Sequence, residues 1–449
     1  MALKLFGTDG VRGIANTFPM TSEFAFRLAQ TLSTLICTNL KRVAIAKDTR
    51  VSSYMLEAAL TAGFTSMGVD VVKMRVVPTP LITSQISDLQ VDMGIMITAS
   101  HNPYQDNGIK LIDRYGDKFS DEWTLRVEEV LMSDQKFIPS KDAIGKVYKD
   151  KTSVPTYIEN VLNIPASPDA LQGLRVVIDC ANGAFSKIMP QIFKDLGAGI
   201  ITLANTPDGY NINQDCGSQH TEKLSQTVVL SHAHLGIAVD GDGDRLIVVD
   251  NLGNRIDGDQ IIAFLAQYLK KHEKLNKNSV VATVWSNLGL EKYLHSLGID
   301  FYRSAVGERY VIQKMREIGA CLGGEESGHI VLSNYANTGD ALIASLIVCL
   351  ALLEDKRKAS DIFPVFNKCP CLITNIRFEN ADEVARVFES EDVQEVIEAA
   401  KEQISSQGSV IVRKSGTEPV IKVRVEGEIE SFVKTLSQKI VSTIEAQRD

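Results

Sequence analysis

The sequence predicts an α/β protein of four domains: three similar α/β domains on mixed sheets, then a smaller C-terminal α+β domain. Three observations predict it. Apolar, β-branched runs alternate with amphipathic helical stretches along most of the chain. The strands end in short polar loops. Beyond residue 371 the pattern changes to "LITNIRFE", "SVIVRKSGTEPVIKVRVEG" and two helical stretches. Length alone, 449 residues, suggests about three domains; the altered tail adds the fourth.

In chain order, "RVAIAKDTR" (42–50) reads as a strand entering a polar loop. "SSYMLEAALTAGFTSMG" then reads as a helix with a glycine stop, and "VDVVKMRVVPTP" as the next strand. The alternation recurs over 174–198, 234–250 and 279–298. Three of these strands end on an aspartate, Asp48, Asp179 and Asp240, which hints at repeated units. Capping of the following helix is the plain alternative for Asp48 and Asp179. The apolar stretch "ALIASLIVCLALL" (341–353) is too short for a bilayer, which needs about 20 residues. It reads as a buried helix capped by Asp340. Boundaries near 149–160, 251–260 and 361–371 give domains 1–152, 153–255, 256–368 and 369–449.

Composition narrows the function. Hydrophobic residues make up 44% and charged residues 23%, ordinary for a folded soluble protein. A net charge of −9 disfavours a nucleic-acid binder, while leaving room for a local basic pocket. The seven cysteines are odd in number and scattered, against a disulfide framework. Cys369-Pro-Cys371 lacks partners at zinc spacing and reads as structural. With no apolar leader-like run at the N-terminus, the expected compartment is the cytoplasm, without membrane attachment.

Four loops carry chemistry. In "DGDGDR" (240–245) three carboxylates alternate with glycines after an apolar strand. They repel unless a hard divalent cation joins them. An EF-hand needs Gly at loop position six and Glu at twelve, where this chain has Arg245 and Asn251. Three carboxylates leave Mg²⁺ short of ligands, and a phosphate on Ser100 of "TASHNPYQDNGIK" can complete the shell. His101 and Lys110 are close enough in sequence to move a proton or stabilise charge there. "RKSGTEP" (413–419) offers two cations, hydroxyls and a turn suited to an anion nest, so Arg413 can grip a second, unreactive phosphate. In "GGEESGH" (323–329), Glu325 and Ser327 suit sugar hydroxyls, with His329 beside a phosphate.

These four loops, in this order, resemble those of the α-D-phosphohexomutases, across essentially the whole chain. "FGTDGVRG", "VGERYV" and the Ser-Gly-Thr-Glu-Pro form of the last loop are most similar to the bacterial amino-sugar members. The resemblance implies four domains around a central cleft, in order a phosphoserine-loop, a metal-binding, a sugar-binding and a phosphate-binding domain. It implies that Ser100 is phosphorylated, and that Asp240, Asp242 and Asp244 hold Mg²⁺ with that phosphate. Arg12 and Lys110 would assist, Lys110 as candidate general base, with His101 and Arg245 nearby. Glu325 and Ser327 would read the sugar; Arg413, Ser415, Gly416 and Thr417 would bind the distal phosphate. The implied reaction converts glucosamine 6-phosphate to glucosamine 1-phosphate, with glucosamine 1,6-bisphosphate or glucose 1,6-bisphosphate as intermediate or activator. The partner is then a small hexose phosphate, and family members are often homodimers. Two positions depart from the amino-sugar pattern: Glu326 replaces Asn or Gln, and Glu308 replaces Asp. The charge of Glu326 would favour an ammonium on carbon 2. Rival readings are a mutase for glucose or mannose phosphate, a metal-dependent phosphatase, and a non-catalytic sugar-phosphate sensor.

Overall fold

Among the described residues, the alternation of apolar strands and helices resolves into four sheets. The computed structural model describes residues 5–35, 41–133, 135–137, 139, 143–414 and 419–448. The chain divides into two units, Met1–Trp285 with Ile299–Val365, and Ser286–Gly298 with Phe366–Asp449.

The first unit holds three mixed sheets. The seven-stranded one runs, in spatial order, Phe6–Gly7, Gly10–Ile14, Asp106–Ile112, Met93–Ile97, Arg42–Lys47, Asp70–Val76 and Val147–Lys149. Its last four strands are mutually parallel and the others antiparallel. Helices cover the central strands, which explains their unbroken apolar runs: every residue of Met93–Ile97 is buried. Val43, Ile45, Ile95 and Ile97 form the core with Leu28, Leu32, Leu56 and Leu60 of two flanking helices. Each such fully buried side chain contributes roughly 1.5–3 kcal/mol.

The five-stranded sheet runs Arg255–Ile256, Leu246–Asp250, Leu235–Val239, Arg175–Asp179 and Gly199–Leu203. The four-stranded sheet runs Asp300–Ser304, Ser279–Thr283, Leu322–Gly324 and Ile330–Leu332. In all three sheets one parallel strand turns directly into an antiparallel neighbour. The pairs close at Ile97↔Ile109, Val239↔Leu246 and Gly324↔Ile330. The three polar loops of this unit are therefore hairpin tips at strand C-terminal ends, where open α/β sheets place their ligands.

Asp48 and Asp179 do not cap helices. Asp48 pairs with Arg50, and Asp179 accepts from the backbone N–H groups of Ala181 and Gly217. Asp340 does cap its helix: its Oδ1 accepts from Leu342 N and Ile343 N, both at 3.0 Å. That helix, Ala341–Asp355, is buried on nearly all sides, as its unbroken apolar sequence requires.

The second unit contains an antiparallel sheet with Val420–Gly427 between Cys371–Arg377 and Gly408–Lys414. Among the described residues the tail has three helices, Ala381–Phe388, Glu391–Ile404 and Glu430–Ala446, one more than the two expected. The extra break falls at Ser390, whose extended backbone ends one helix and starts the next. Cys369 and Cys371 are half-buried, and Cys180, Cys216, Cys321 and Cys349 are buried. Among the described residues no helix is long and apolar enough to cross a membrane.

Candidate active site

Ser100 leaves its buried strand in the left-handed backbone region, with φ +52°, a conformation uncommon for a non-glycine residue. The turn carries its Oγ across to the hairpin tip of the five-stranded sheet, 2.5 Å from Asp240 Oδ2. His101 Nδ1 lies 3.4 Å from the same oxygen. Burial, then the cations Arg245 and Arg12, lower the His101 pKa to about 3, so its ring is neutral at ordinary pH.

The aspartate loop folds back on itself. Asp240 Oδ1 accepts from the N–H groups of Gly243 and Arg245, both at 3.1 Å. Gly241 must lack a side chain: a Cβ there would stand 2.7 Å from Ser100 O. Asp240, Asp242 and Asp244 are fully buried. Burial, reinforced by Asp244 and Asp242, pushes the Asp240 carboxyl well above the usual range. Burial would raise Asp244 too, but Lys110 and His329 outweigh it and hold Asp244 well below that range.

The donor set fits a hard divalent cation. One oxygen from each aspartate lies within 4.8 Å of the other two, and Asp242 Oδ1 is buried without a hydrogen-bond partner. A buried orphan carboxylate oxygen is costly unless something cationic meets it. A second trio, Asp244, Glu308 and His329, is also close enough to share an ion. There Lys118 pairs with Glu308 at 2.5 Å and His329 with Asp244 at 3.1 Å, so those charges are already met.

Lys110, on the returning strand, points its ammonium between Asp242 (2.7 Å) and Asp244 (2.8 Å), with Asp9 at 3.1 Å. Burial opposes the charge, but these three carboxylates raise its pKa well above the usual lysine value. Arg12 reaches Asp9 at 2.6 Å and Ala99 O at 3.2 Å. The third hairpin tip interlocks with the second. His329 bridges Glu325 (2.8 Å, through Nδ1) and Asp244 (3.1 Å, through Nε2), and Arg245 Nε sits 3.4 Å from Nε2. Burial works against the imidazolium; Asp244 and Glu325 outweigh it and raise His329 to about 10. Glu325 Oε1 accepts from Gly307 N at 3.0 Å. Ser327 and Glu326 are half-buried on the same turn. Gly258 packs under that turn so tightly that a Cβ would meet Glu325 O at 2.0 Å.

The structure thus gathers Ser100, His101, Lys110, Arg12, Asp240, Asp242, Asp244, Arg245, Glu325 and His329 in the first unit. Arg413 lies in the second, exposed near the end of Gly408–Lys414. Ser415, Gly416 and Thr417 lie outside the described residues. Further members escape the motifs. Thr79 donates to Asp242 Oδ2 at 2.5 Å, and Lys118 contacts both Asp9 and Glu308. Arg50 and Asn213 hold the serine turn. Asp9 has the clearest signal, a carboxylate three residues from Arg12 in "FGTDGVRG". Thr79, Lys118 and Asn213 have none, because they belong to separate segments that only folding brings together.

Four domain models of the phosphoglucomutase/phosphomannomutase family match this chain. They are alpha/beta/alpha domain I over 3–137, domain II over 155–253, domain III over 257–369, and the C-terminal domain over 373–442. A phosphoglucosamine mutase from Rhodospirillum centenum is 44% identical over 454 residues, covering 99% of this chain and 96% of that protein. Among solved structures, a phosphoglucomutase/phosphomannomutase family protein from Burkholderia thailandensis superposes with a TM-score of 0.80 at 22% identity, covering 99% of this chain and 98% of that one. The N-acetylphosphoglucosamine mutase of Aspergillus fumigatus, solved with GlcNAc-6P and magnesium, has the same fold at a TM-score of 0.65 and 16% identity, with 99% and 96% covered.

Proposed function

We propose a reaction from one premise: this chain belongs to the phosphoglucomutase/phosphomannomutase family, and within it to the phosphoglucosamine mutases. It is an isomerase that interconverts glucosamine 6-phosphate and glucosamine 1-phosphate. The observation that carries the mechanism is the 2.5 Å approach of Ser100 Oγ to Asp240, inside a cluster of three buried aspartates and one lysine.

Ser100 carries the phosphoryl group. When the carbon 1 hydroxyl of glucosamine 6-phosphate attacks, the bond from phosphorus to Ser100 Oγ breaks and one to the sugar oxygen forms. The hydroxyl proton passes to a base, and the product is glucosamine 1,6-bisphosphate; glucose 1,6-bisphosphate serves as an alternative primer. The bisphosphate turns over, its 6-phosphoryl group returns to Ser100, and glucosamine 1-phosphate leaves. Asp240, Asp242 and Asp244 would hold Mg²⁺, which when bound neutralises charge on the transferring group.

Lys110, held as an ammonium by three carboxylates, stabilises that charge. It can accept a proton only where the aspartates' charge is otherwise neutralised. Arg12 and Arg245 add positive potential, and His101 gives the serine oxygen a neutral hydrogen-bonding neighbour. Glu325 and Ser327 orient the sugar hydroxyls beside His329, and Arg413 with Ser415, Gly416 and Thr417 grips the phosphate that does not react. Each domain, 1–152, 153–255, 256–368 and 369–449, contributes one loop. Free thiols at Cys180, Cys216, Cys321, Cys349 and Cys369 support a cytoplasmic setting.

A second reading, glucose or mannose phosphate as preferred sugar, rests on the "GEESGH" form of the third loop. A coupled assay with Mg²⁺ and a trace of bisphosphate separates the two. Glucosamine 6-phosphate should turn over fastest among glucosamine, glucose and mannose phosphates. Faster turnover of either neutral sugar would reverse the assignment.

A further inference from the structure

We propose that Arg50 and Asn213 are positioning residues that fix the phosphoryl-carrying conformation of Ser100; this rests on the mutase reading above. The two carbonyls flanking His101 are each gripped from two directions. Ser100 O accepts from Arg50 Nη2 at 3.0 Å and from Asn213 Nδ2 at 2.8 Å. Asn102 O accepts from the same two groups, at 2.8 Å and 2.9 Å. Arg50 Nη1 also donates to Pro103 O, and to Asp106 O at 3.0 Å. One guanidinium and one amide thus pin the whole serine turn.

The grip closes on itself through Asp48. Its Oδ2 accepts from Arg50 Nε at 2.8 Å and from Thr98 Oγ1 at 2.7 Å, and Thr98 Oγ1 accepts from Ser100 N at 2.9 Å. The carbonyl of Ser100 is therefore held from two other segments, and its N–H by Thr98, itself tied to Asp48, at the residue whose φ is left-handed. Such a conformation persists only where its surroundings over-determine it. Arg50 is fully buried and Asn213 nearly so. Their side-chain hydrogen bonds go to the serine turn and to Asp48 rather than to Asp240, Asp242 or Asp244, so both residues act through the turn that carries Ser100.

The two anchors come from different sheets. Arg50 follows Arg42–Lys47 of the seven-stranded sheet, and Asn213 lies between Gly199–Leu203 and Leu235–Val239 of the five-stranded one. Asn213 is itself left-handed, with φ +57°, and its N–H donates to Ala181 O at 2.9 Å. A Cβ on Gly241 would stand 3.0 Å from Asn213 Nδ2. The amide therefore sits against the aspartate loop and sets the serine turn relative to it. In-line transfer demands this: misplacement by about 1 Å can cost about a hundredfold in rate.

The test uses the full-length enzyme with Asn213→Asp and Arg50→Lys. Aspartate keeps the shape and the left-handed tolerance of asparagine but cannot donate; lysine keeps the charge facing Asp48 but not the fork. Phosphorus-labelled Ser100 is chased with glucosamine 6-phosphate or with buffer alone. We expect kcat to fall about 10–100-fold with KM changed less than about twofold. The ratio of transfer to sugar over loss to water should fall with kcat, measured below the unfolding midpoint of each variant. Wild-type kcat in both variants would overturn the proposal, as would an unchanged sugar-to-water ratio in slowed variants. If Asn213→Asp unfolds, Asn213→Ser, which keeps one donor, must show an intermediate kcat; a wild-type value overturns the proposal equally. Ser100→Ala separates the two levels: turnover surviving in that variant would sink the mutase reading itself, whereas its loss beside a wild-type-like Asn213→Asp would sink only the positioning role.

Discussion

Around Ser100, charge is buried and crowded; at Arg413 it is exposed at a strand end. Ser100, Lys110, Asp240, Asp242 and Asp244 are each at most 1% exposed, and three hairpin tips supply them with both signs of charge. Arg413 lies on an edge strand, its neighbour Lys414 paired with Glu389 at 3.0 Å. The difference teaches what each region can do. Buried, interacting charges change protonation states and stabilise charge that develops in a reaction. An exposed arginine grips a phosphate that arrives already charged.

The largest break should come from Ser100→Ala. Removing the Ser100 hydroxyl should cut mutase turnover at least about a thousandfold, with no phosphate incorporated by mass spectrometry. Turnover above a tenth of wild type would mean the serine does not carry the phosphoryl group. Asp242→Asn should follow, with about 10²–10³ lost. Wild type should also gain thermal stability on adding Mg²⁺, and this variant should not. An equal Mg²⁺-induced rise in both would remove Asp242 from the metal set.

Arg413→Ala should sharpen the contrast from the other side. Losing a charged hydrogen bond worth roughly 1.5–3 kcal/mol should raise KM about 10–100-fold, with kcat changed only a few-fold. A kcat loss without a KM change would place Arg413 in the transfer step instead.

The smallest effect on catalysis is expected at Asp340, where burial holds the acid form up to about pH 6 although two backbone N–H groups and Tyr157 favour the anion. An unfolded aspartate ionises near about 3.9. The folded chain therefore binds more protons between these values, and stability falls as pH rises through that window. Asp340→Asn keeps the cap but cannot ionise. Its stability relative to wild type should grow between about pH 4 and pH 6.5, by on the order of 1–3 kcal/mol, with turnover unchanged. Parallel denaturation profiles across that range would show that Asp340 does not titrate there.

Much of the first unit was legible because its signals are local. The strand Met93–Ile97 announces itself by five apolar or glycine residues, and the cap of Ala341–Asp355 by one aspartate before an apolar run. Asp240, Asp242 and Asp244 converge within one loop, so their shared purpose shows in their spacing. Asp48 and Asp179 illustrate the limit. They look alike beside Asp240, yet one holds Arg50 and the other two backbone N–H groups.

By itself, then, the sequence determined the strand and helix pattern, the acidic loop and the family motifs, because each depends on residues a few positions apart. Only the tertiary structure decided that Lys110 would be clasped by Asp9, Asp242 and Asp244, that His329 would sit charged between Glu325 and Asp244, and that Arg50 and Asn213 would meet at the carbonyl of Ser100. The reason is physical: protonation and orientation depend on distance and burial in space, and most of these partners stand on segments far apart along the chain.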